Sequence, residues 1–204
     1  MQHELTPNKY LTTKEQGLLF KFLRKRERQE LGEFGCYWRK VHLVCHLAFH
    51  GLRVSEVRNV KHKHIDLDSE LKSIFILGKR KRRRYVPVSD SLVQHIREFI
   101  VWKTSVGLSV EPNAYLIQSP KRPGMPYSIS GLEAMYVRAL REAGIARKTF
   151  HSARHSFGFR VYDSTSDLRA TQQLLGHANM QTVECYTFCT FDKLAGYVNE
   201  MAKK

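Results

Sequence analysis

Four side chains that could bind an anion, exchange protons or attack as a nucleophile lie close together in the last third of the chain. His151 and Arg154 are three residues apart, so a helix would project both from one face. His177 follows Leu-Leu-Gly, and Tyr186 comes nine residues after it. A guanidinium offers phosphate oxygens a planar pair of donors, histidines exchange protons near neutral pH, and a phenol can act as a nucleophile. These residue types and spacings predict a site that converges on one anion.

Helices and turns must position these four side chains. Gly176 is typical of a helix end, and Asn179 can cap the next short helix, which places His177 in a turn. Tyr186 then lies at the end of that following helix. Hydrophobic spacing and capping residues predict the other helices, which begin near Thr12, Tyr37, Ser55, Ser89, Ser130 and Asp192.

Two predicted strands surround a basic loop in the middle of the chain. Residues 73–77 and 84–88 have the composition of strands. Between them, Gly78 is followed by six consecutive cations at positions 79–84. Such a run is typical of a solvated segment or of a nucleic-acid contact. Residues 114–117 are predicted to form a third short strand.

The charge of the chain favours a polyanionic partner. Its 204 residues contain 34 Lys and Arg against 19 Asp and Glu, for a net charge of +15. Nucleic acid is the first partner to expect from this excess, and an acidic membrane surface is the alternative. No apolar run reaches transmembrane length, and the N-terminus lacks the apolar segment of a signal peptide. A cytoplasmic, nucleoid-associated protein of one ordinary domain, or of two very small ones, is therefore expected.

The sequence predicts no metal centre and no cofactor. The four cysteines form no Cys-x-x-Cys pair and are expected to stay reduced; they are Cys36, Cys45, Cys185 and Cys189. His151 and His155 have the spacing of a zinc-binding helix but lack the glutamate of His-Glu-x-x-His. No carboxylate cluster suggests a two-metal nuclease.

The region around the four side chains resembles the signature of the tyrosine recombinases, also called the phage-integrase family. That signature reads H-x-x-R, then L-G-H or L-G-W, then a tyrosine nine residues later. Here it stands as His151-Ser152-Ala153-Arg154, Leu175-Gly176-His177 and Tyr186, and Gly51-Leu52-Arg53-Val54-Ser55-Glu56 resembles the family's first arginine box. The resemblance implies an α+β fold, mainly α-helical with a small antiparallel three-stranded sheet.

The resemblance also implies a role for each matched residue. Arg53 and Arg154 would bind the scissile phosphate, with His177 adding a hydrogen bond. Tyr186 would attack the phosphorus, and His151 would act as the base. Two supporting residues are implied as well, one that helps to hold the site together and one that is structural: Glu56 and His155, respectively.

The basic loop resembles a family β-hairpin that reads G-K-G-x-K-x-R-x-V-P, in which the first lysine is the general acid. Gly78-Lys79 and Val86-Pro87 match the two ends, but Arg80 replaces the second glycine. The acid is therefore Lys79 or Lys81, and we favour Lys79 because it directly follows Gly78. The remaining cations of the loop are expected to contact DNA: Arg80, Lys81, Arg82, Arg83 and Arg84.

The function implied by the resemblance is site-specific DNA recombination, by an integrase or invertase. Such an enzyme cleaves and rejoins DNA through a 3′-phosphotyrosyl intermediate, which keeps the ester energy, so neither metal nor ATP is needed. A type IB topoisomerase-like nicking and closing enzyme would share this chemistry. A catalytically idle DNA-binding regulator on the same fold is the alternative from another class, and the complete set of catalytic residues argues against it.

The extent of the resemblance predicts the domain organisation and the assembly. Most family members carry an N-terminal helical domain that clamps DNA, but here the resemblance starts near Tyr10. A single catalytic domain over residues 1–204 is expected, as in the short fimbrial-switch invertases or in a fragment. The last helix, at residues 192–201, is expected to dock on a neighbouring protomer. The free protein would be a monomer or weak dimer that forms a tetramer on DNA, with accessory DNA-bending proteins as further partners.

Overall fold

Helices make up most of the structure, a computed structural model in which residues 10–29, 36–78 and 83–176 are described. The α-helices are α1 (Thr13–Gln29), α2 (Cys36–Phe49), α3 (Val54–Asn59), α4 (Asp90–Ser105), α5 (Ile129–Glu142), α6 (Phe150–Thr165) and α7 (Leu168–Leu175). A short 3-10 helix spans His62–His64, and the strands are β1 (Ile65–Asp66), β2 (Ser73–Leu77) and β3 (Arg83–Pro87). The expected α+β class, mainly helical with a small antiparallel sheet, is confirmed. No helix in these ranges is both long and apolar enough to cross a membrane.

Helix α2 forms the centre of the core. It packs against α1, α4, α5 and α6, and its side chains from Lys40 to Cys45 are all buried. This buried run includes the polar Lys40 and His42 as well as apolar side chains, so neighbouring elements cover nearly every side of the helix. The C-terminal end of α2 is therefore held on several sides, and this end leads directly into the turn that carries Arg53.

The sheet has the order β1-β2-β3, and both pairs are antiparallel. Its hairpin β2–β3 pairs Ile76 with Arg84. The third strand is β1, so the prediction of a strand at residues 114–117 is wrong. Within that segment Tyr115 forms a single bridge to Lys61, and the two aliphatic residues that follow Tyr115 are buried in the core. Their hydrophobicity reflects burial from a loop rather than strand pairing.

Side-chain caps define where several helices begin. The backbone N–H of Thr12 donates to Oε2 of Glu15 at 2.8 Å, and the Glu15 N–H donates back to the Thr12 hydroxyl at 3.2 Å. This reciprocal capping box begins α1. Helix α5 starts at Ile129, because the hydroxyl of Ser128 rather than that of Ser130 accepts the backbone N–H three residues on, at 3.0 Å.

Candidate active site

The turn between α2 and α3 presents Arg53. Gly51 has a φ of +81°, in the left-handed region that favours glycine. A Cβ at this position would lie 2.6 Å from Cδ1 of Phe157, so the close approach of α6 also requires glycine. Arg53 then takes the N-cap position of α3 with extended backbone. Its side chain lines a cavity and remains 39% exposed.

The carboxylate of Glu56 organises two guanidiniums. Its Oε2 accepts the backbone N–H of Arg53 at 2.7 Å, and its Oε1 accepts Nη1 of the same residue at 2.9 Å. Arg84 adds a bidentate pair, with Nη1 at 2.6 Å from Oε1 and Nη2 at 3.0 Å from Oε2. Burial would raise the pKa of Glu56, but the hydrogen bonds and charge of Arg84, and then those of Arg53, bring it below its usual range. Glu56 therefore stays ionised and holds both arginines in place.

The structure places Arg84 differently from the expectation that it belongs to the DNA-contacting loop. Arg84 lies in strand β3, where its side chain shares the inward face with Val86 and pairs with Glu56. Arg83 and Tyr85 occupy the exposed face. The period-2 alternation of the strand decides this, because neighbouring side chains point to opposite faces. Alternation with the apolar Val86 was the signal that could have identified Arg84 as an inward residue.

Arg154 joins the two segments that border the site. It is 1% exposed, and its Nη1 and Nη2 donate to the backbone carbonyls of Gly51 and Leu175, respectively. The next residue, Gly176, ends α7 with a φ of +62°, and its carbonyl accepts Nη2 of Arg53 at 3.3 Å. Both arginines therefore hold the end of α7, immediately before His177 in the sequence.

His151 stands one helical turn before Arg154 on α6, and both line the same cavity. Partial burial, followed by the positive charges of Arg154 and Arg53, lowers the pKa of His151 below its usual value. The ring is therefore neutral near pH 7, which is the form that accepts a proton. The ring of His155 lies perpendicular to it, with the ring centroids 4.4 Å apart.

Arg53, Arg84 and Arg154 surround one cavity of about 1030 Å³, which we call the arginine cleft. The other titratable residues that line it, within the described part of the chain, are Glu56, Arg83, Glu133 and His151. Among these described residues four arginines face two glutamates, an excess of positive charge that suits an anion.

Several predicted site residues lie outside the described ranges. They are Lys79, Arg80, Lys81, Arg82, His177 and Tyr186, together with the predicted last helix at residues 192–201. Gly78 and Gly176, which directly precede Lys79 and His177 in the sequence, both line the arginine cleft. The described residues thus bring together Arg53, Glu56, His151 and Arg154 from separate elements.

Comparison with known sequences agrees with this geometry, since a profile of the phage integrase family matches residues 11–192. The chain belongs to the phage integrase family. The tyrosine recombinase XerC of Halalkalibacterium halodurans is 33% identical over 151 residues, which cover 71% of this chain and 48% of that relative. The XerC of Xylella fastidiosa is 34% identical over 146 residues, which cover 71% and 47%. The chain thus spans about half the length of the curated relatives it matches.

Solved structures share the fold. The crystal structure of XerA recombinase superposes with a TM-score of 0.74 at 24% identity, over 98% of this chain and 66% of that one. A post-cleavage complex of the XerH site-specific recombinase with a palindromic difH substrate gives 0.77 at 22% identity, over 95% and 53%. The family predicted from the two sequence boxes is confirmed, and the narrower likeness to invertases stays a prediction.

Proposed function

We propose that this chain forms the catalytic domain of a site-specific tyrosine recombinase, which cuts and rejoins DNA through a 3′-phosphotyrosyl intermediate without metal or ATP. The proposal rests on one observation, that two arginines from different elements both hold the end of α7. Arg53 donates to the carbonyl of Gly176, and Arg154 donates to that of Leu175. Membership of the family and the fold shared with XerH, a recombinase bound to its difH substrate, support the same conclusion.

The scissile phosphate would bind at the open edge of the arginine cleft. Nη1 of Arg53 donates to Glu56 and its Nη2 donates to the Gly176 carbonyl, yet 39% of the side chain remains exposed to a ligand. A phosphodiester anion repels nucleophiles until fixed positive charge stabilises its transition state. One such donor is typically worth about 10²–10³ in rate. Arg53 and Arg154 would supply that charge, with a hydrogen bond from His177.

The reaction would exchange one phosphate ester bond for another. The phenol oxygen of Tyr186 attacks the phosphorus and its proton passes to His151. The bond to the 5′ oxygen breaks, and that oxygen leaves with a proton from Lys79, or from Lys81 if Arg80 alters the loop. A free phenol has a pKa of about 10, so a neutral imidazole that accepts its proton makes attack feasible near pH 7. Attack by a 5′ hydroxyl reverses these steps and rejoins the strand.

DNA backbone contacts would come from the basic segment that leads into β3 and ends at the first residue of that strand. We assign Arg80, Lys81, Arg82 and Arg83 to this role, and Arg83 is exposed. Arg84 receives a different role, because its guanidinium already forms a bidentate pair with Glu56. It would position the carboxylate that holds Arg53 rather than contact a phosphate.

A suicide-substrate assay tests the proposal. Duplexes that bind the protein are selected from a random pool by gel shift, nicked beside the bound site and incubated with the protein. The wild-type chain should form a covalent protein–DNA adduct, and Tyr186→Phe should bind the same DNA without forming one. Tyr162→Phe, on α6, is the matched control and should retain the adduct.

Each result of this assay separates the candidate functions. Adduct that persists in Tyr186→Phe would reject this residue as the nucleophile. No adduct in the wild type would favour an idle DNA-binding regulator. Adduct with relaxation of supercoils, but without strand exchange between two sites, would favour a topoisomerase-like enzyme.

The proposed assembly can be tested through the end of the chain. We infer that the helix predicted from the sequence at residues 192–201 docks on a neighbouring protomer and that a tetramer forms on two DNA sites. Truncation after Thr190 should leave binding to a single site largely intact and abolish synapsis, as measured by gel shift and by strand exchange. Loss of a cooperative melt in the truncated protein would instead show that this helix belongs to its own core.

A further inference from the structure

A second cavity lies between α1, α2, α4 and α6, and no described residue lines both it and the arginine cleft. It encloses about 1230 Å³. Four histidines of the described ranges line it, and we call it the histidine pocket: His42, His46, His50 and His95. The recombination chemistry proposed above uses none of them.

Three potential metal ligands converge in this pocket from three helices. Glu27 comes from α1, His42 from α2 and His95 from α4, and their ligand atoms all lie within 4.8 Å of one another. Nδ1 of His42 is 2.6 Å from Oε2 of Glu27, and the rings of His42 and His95 are 4.2 Å apart between centroids. A carboxylate and two imidazoles form a ligand set that Zn²⁺ uses in proteins.

His95 supplies an independent sign of a missing partner. It is 8% exposed; its Nδ1 lies 3.0 Å from Nδ1 of His46, while its Nε2 is buried without a hydrogen-bond partner among the described residues. Buried polar atoms rarely stay unsatisfied in a native protein. When Nδ1 of His95 donates its proton to His46, Nε2 carries a bare lone pair. A ring whose other nitrogen donates to a neighbour in this way is the usual arrangement of a metal-bound histidine.

The charges that line the pocket are mixed, because Arg24, Arg28, Arg39 and Arg160 share it with Glu27 and Glu98. Coordination by specific ligand atoms, rather than the overall charge of the pocket, would therefore hold a cation. Burial lowers the pKa of His95 to about 3, so this ring is neutral and keeps its lone pair near pH 7. Burial would raise the pKa of Glu27, but the hydrogen bond from His42, with the charge of Arg39, brings it below its usual range, so the carboxylate is ionised. Arg39 stands 3.6 Å from Glu27 and weakens the attraction for a cation without removing the carboxylate from the site.

We propose that Glu27, His42 and His95 bind one divalent transition-metal ion of the Zn²⁺ type. Tetrahedral zinc places ligand atoms roughly 3.4 Å apart, so the widest separation in the group needs to close by no more than about 1.4 Å. The Glu27 oxygen and the His42 nitrogen, now 2.6 Å apart, would separate by about 0.8 Å as the proton between them is lost. Imidazole ligands favour such ions over Mg²⁺ or Ca²⁺, which prefer oxygen. The ion would join α1, α2 and α4 and stabilise the fold, and it takes no part in the metal-independent cleavage proposed above.

The test uses the full chain after removal of metal with a chelator and dialysis. ZnCl₂ is titrated by calorimetry into the wild type and into Glu27→Gln, His95→Gln and the control His64→Gln, whose histidine lies outside the pocket. The wild type and the control should bind one Zn²⁺ per chain, and MgCl₂ should give no such binding. Both pocket variants should bind at least about tenfold more weakly. Absence of stoichiometric binding, equal binding in the pocket variants, or loss of binding in the control would each overturn the proposal.

A second measurement needs no substitution and decides the case if a pocket variant fails to melt cooperatively. The imidazole ¹⁵N resonances of His42 and His95 in the wild type should shift on addition of one equivalent of Zn²⁺, while those of His64 stay in place. Unchanged His42 and His95 resonances at saturating Zn²⁺ would show that the pocket does not hold the ion.

Discussion

The arginine cleft and the histidine pocket are two cavities of similar size. Among the described residues each is lined by four arginines and two glutamates, and they differ in their histidines, four in the pocket against one in the cleft. In the cleft, guanidiniums stay charged at every accessible pH and are held by Glu56 or by backbone carbonyls. In the pocket, burial lowers the pKa of His46 to about 2, so the ring is neutral. A permanently charged guanidinium that is already held in place can bind an anion, whereas a neutral imidazole offers a lone pair to a metal ion. Residue type and burial together therefore decide which ligand each cavity suits.

The largest effect is expected when the guanidinium of Arg154, which contacts both segments that border the cleft, is replaced by an ammonium group. Arg154→Lys keeps the charge but cannot reach the carbonyls of both Gly51 and Leu175. Adduct formation should fall by about 10²–10³, and the free energy of unfolding should fall by about 2 kcal/mol, because a buried carbonyl loses its donor. Adduct kinetics and urea denaturation measure the two effects.

Arg160→Lys provides a matched control on the same helix. Arg160 donates to the carbonyl of Phe49 at 3.3 Å and lines the histidine pocket. This variant should cleave at nearly the wild-type rate. Equal losses in both variants would mean that any arginine on α6 matters equally, and the contrast between the two cavities would fail.

A smaller effect is expected when the carboxylate of the cleft loses its charge. Glu56→Gln keeps one acceptor for Arg53 but weakens the pairing with Arg84. Adduct formation at saturating DNA should slow by about 10- to 100-fold, because a hydrogen bond to a charged group is worth roughly 1.5–3 kcal/mol. DNA affinity should change little. A large loss of DNA affinity without a slower rate of adduct formation would show that Glu56 supports the DNA-binding surface of the protein rather than the position of the two arginines.

His62 lies outside both cavities and offers a separate test of whether burial keeps a histidine neutral. Lys103 donates to Nε2 of His62 at 2.8 Å, and burial, followed by the charge of Lys103, lowers the pKa of His62 to about 4. Between pH 6.5 and 4 the unfolded chain takes up a proton that the folded chain refuses, so stability falls as the pH falls. The contribution of His62 is constant above pH 6.5.

His62→Gln should reduce this acid sensitivity, because an amide oxygen accepts from Lys103 without titrating. We expect the variant to lose on the order of 1 kcal/mol less than the wild type between pH 6.5 and 4, a value discounted because part of the ring is exposed. Urea denaturation at pH 7, 5.5 and 4.5 measures the difference. Parallel pH profiles for the two proteins would contradict a neutral His62.

The smallest effect separates two adjacent arginines of β3. Arg83→Ala should flatten the salt dependence of DNA binding by about one unit of slope, because an exposed phosphate contact is lost. Arg84→Ala should leave that slope unchanged and slow adduct formation, since its side chain pairs with Glu56. Equal salt-dependence slopes for the two variants would mean that Arg84 contacts DNA as well.

The sequence was informative wherever the interacting residues are close along the chain. The hairpin at residues 73–87 follows from local composition, and the stop at Gly176 follows from the left-handed conformation that glycine adopts easily. The strand predicted at residues 114–117 failed, because hydrophobicity alone does not distinguish a strand from a buried loop.

By itself, the sequence determined the family, through its motifs, and the residues near which most helices begin, because spacing, capping and turn chemistry act over a few residues. Only the tertiary structure decided that Arg84 turns inward to Glu56, 28 positions away, and that Glu27, His42 and His95 meet. The first contact joins the hairpin to α3, and the second brings α1, α2 and α4 together, so both depend on the packing of the whole core rather than on any local pattern. The charge run and the scattered histidines acquire their distinct chemistry from that packing.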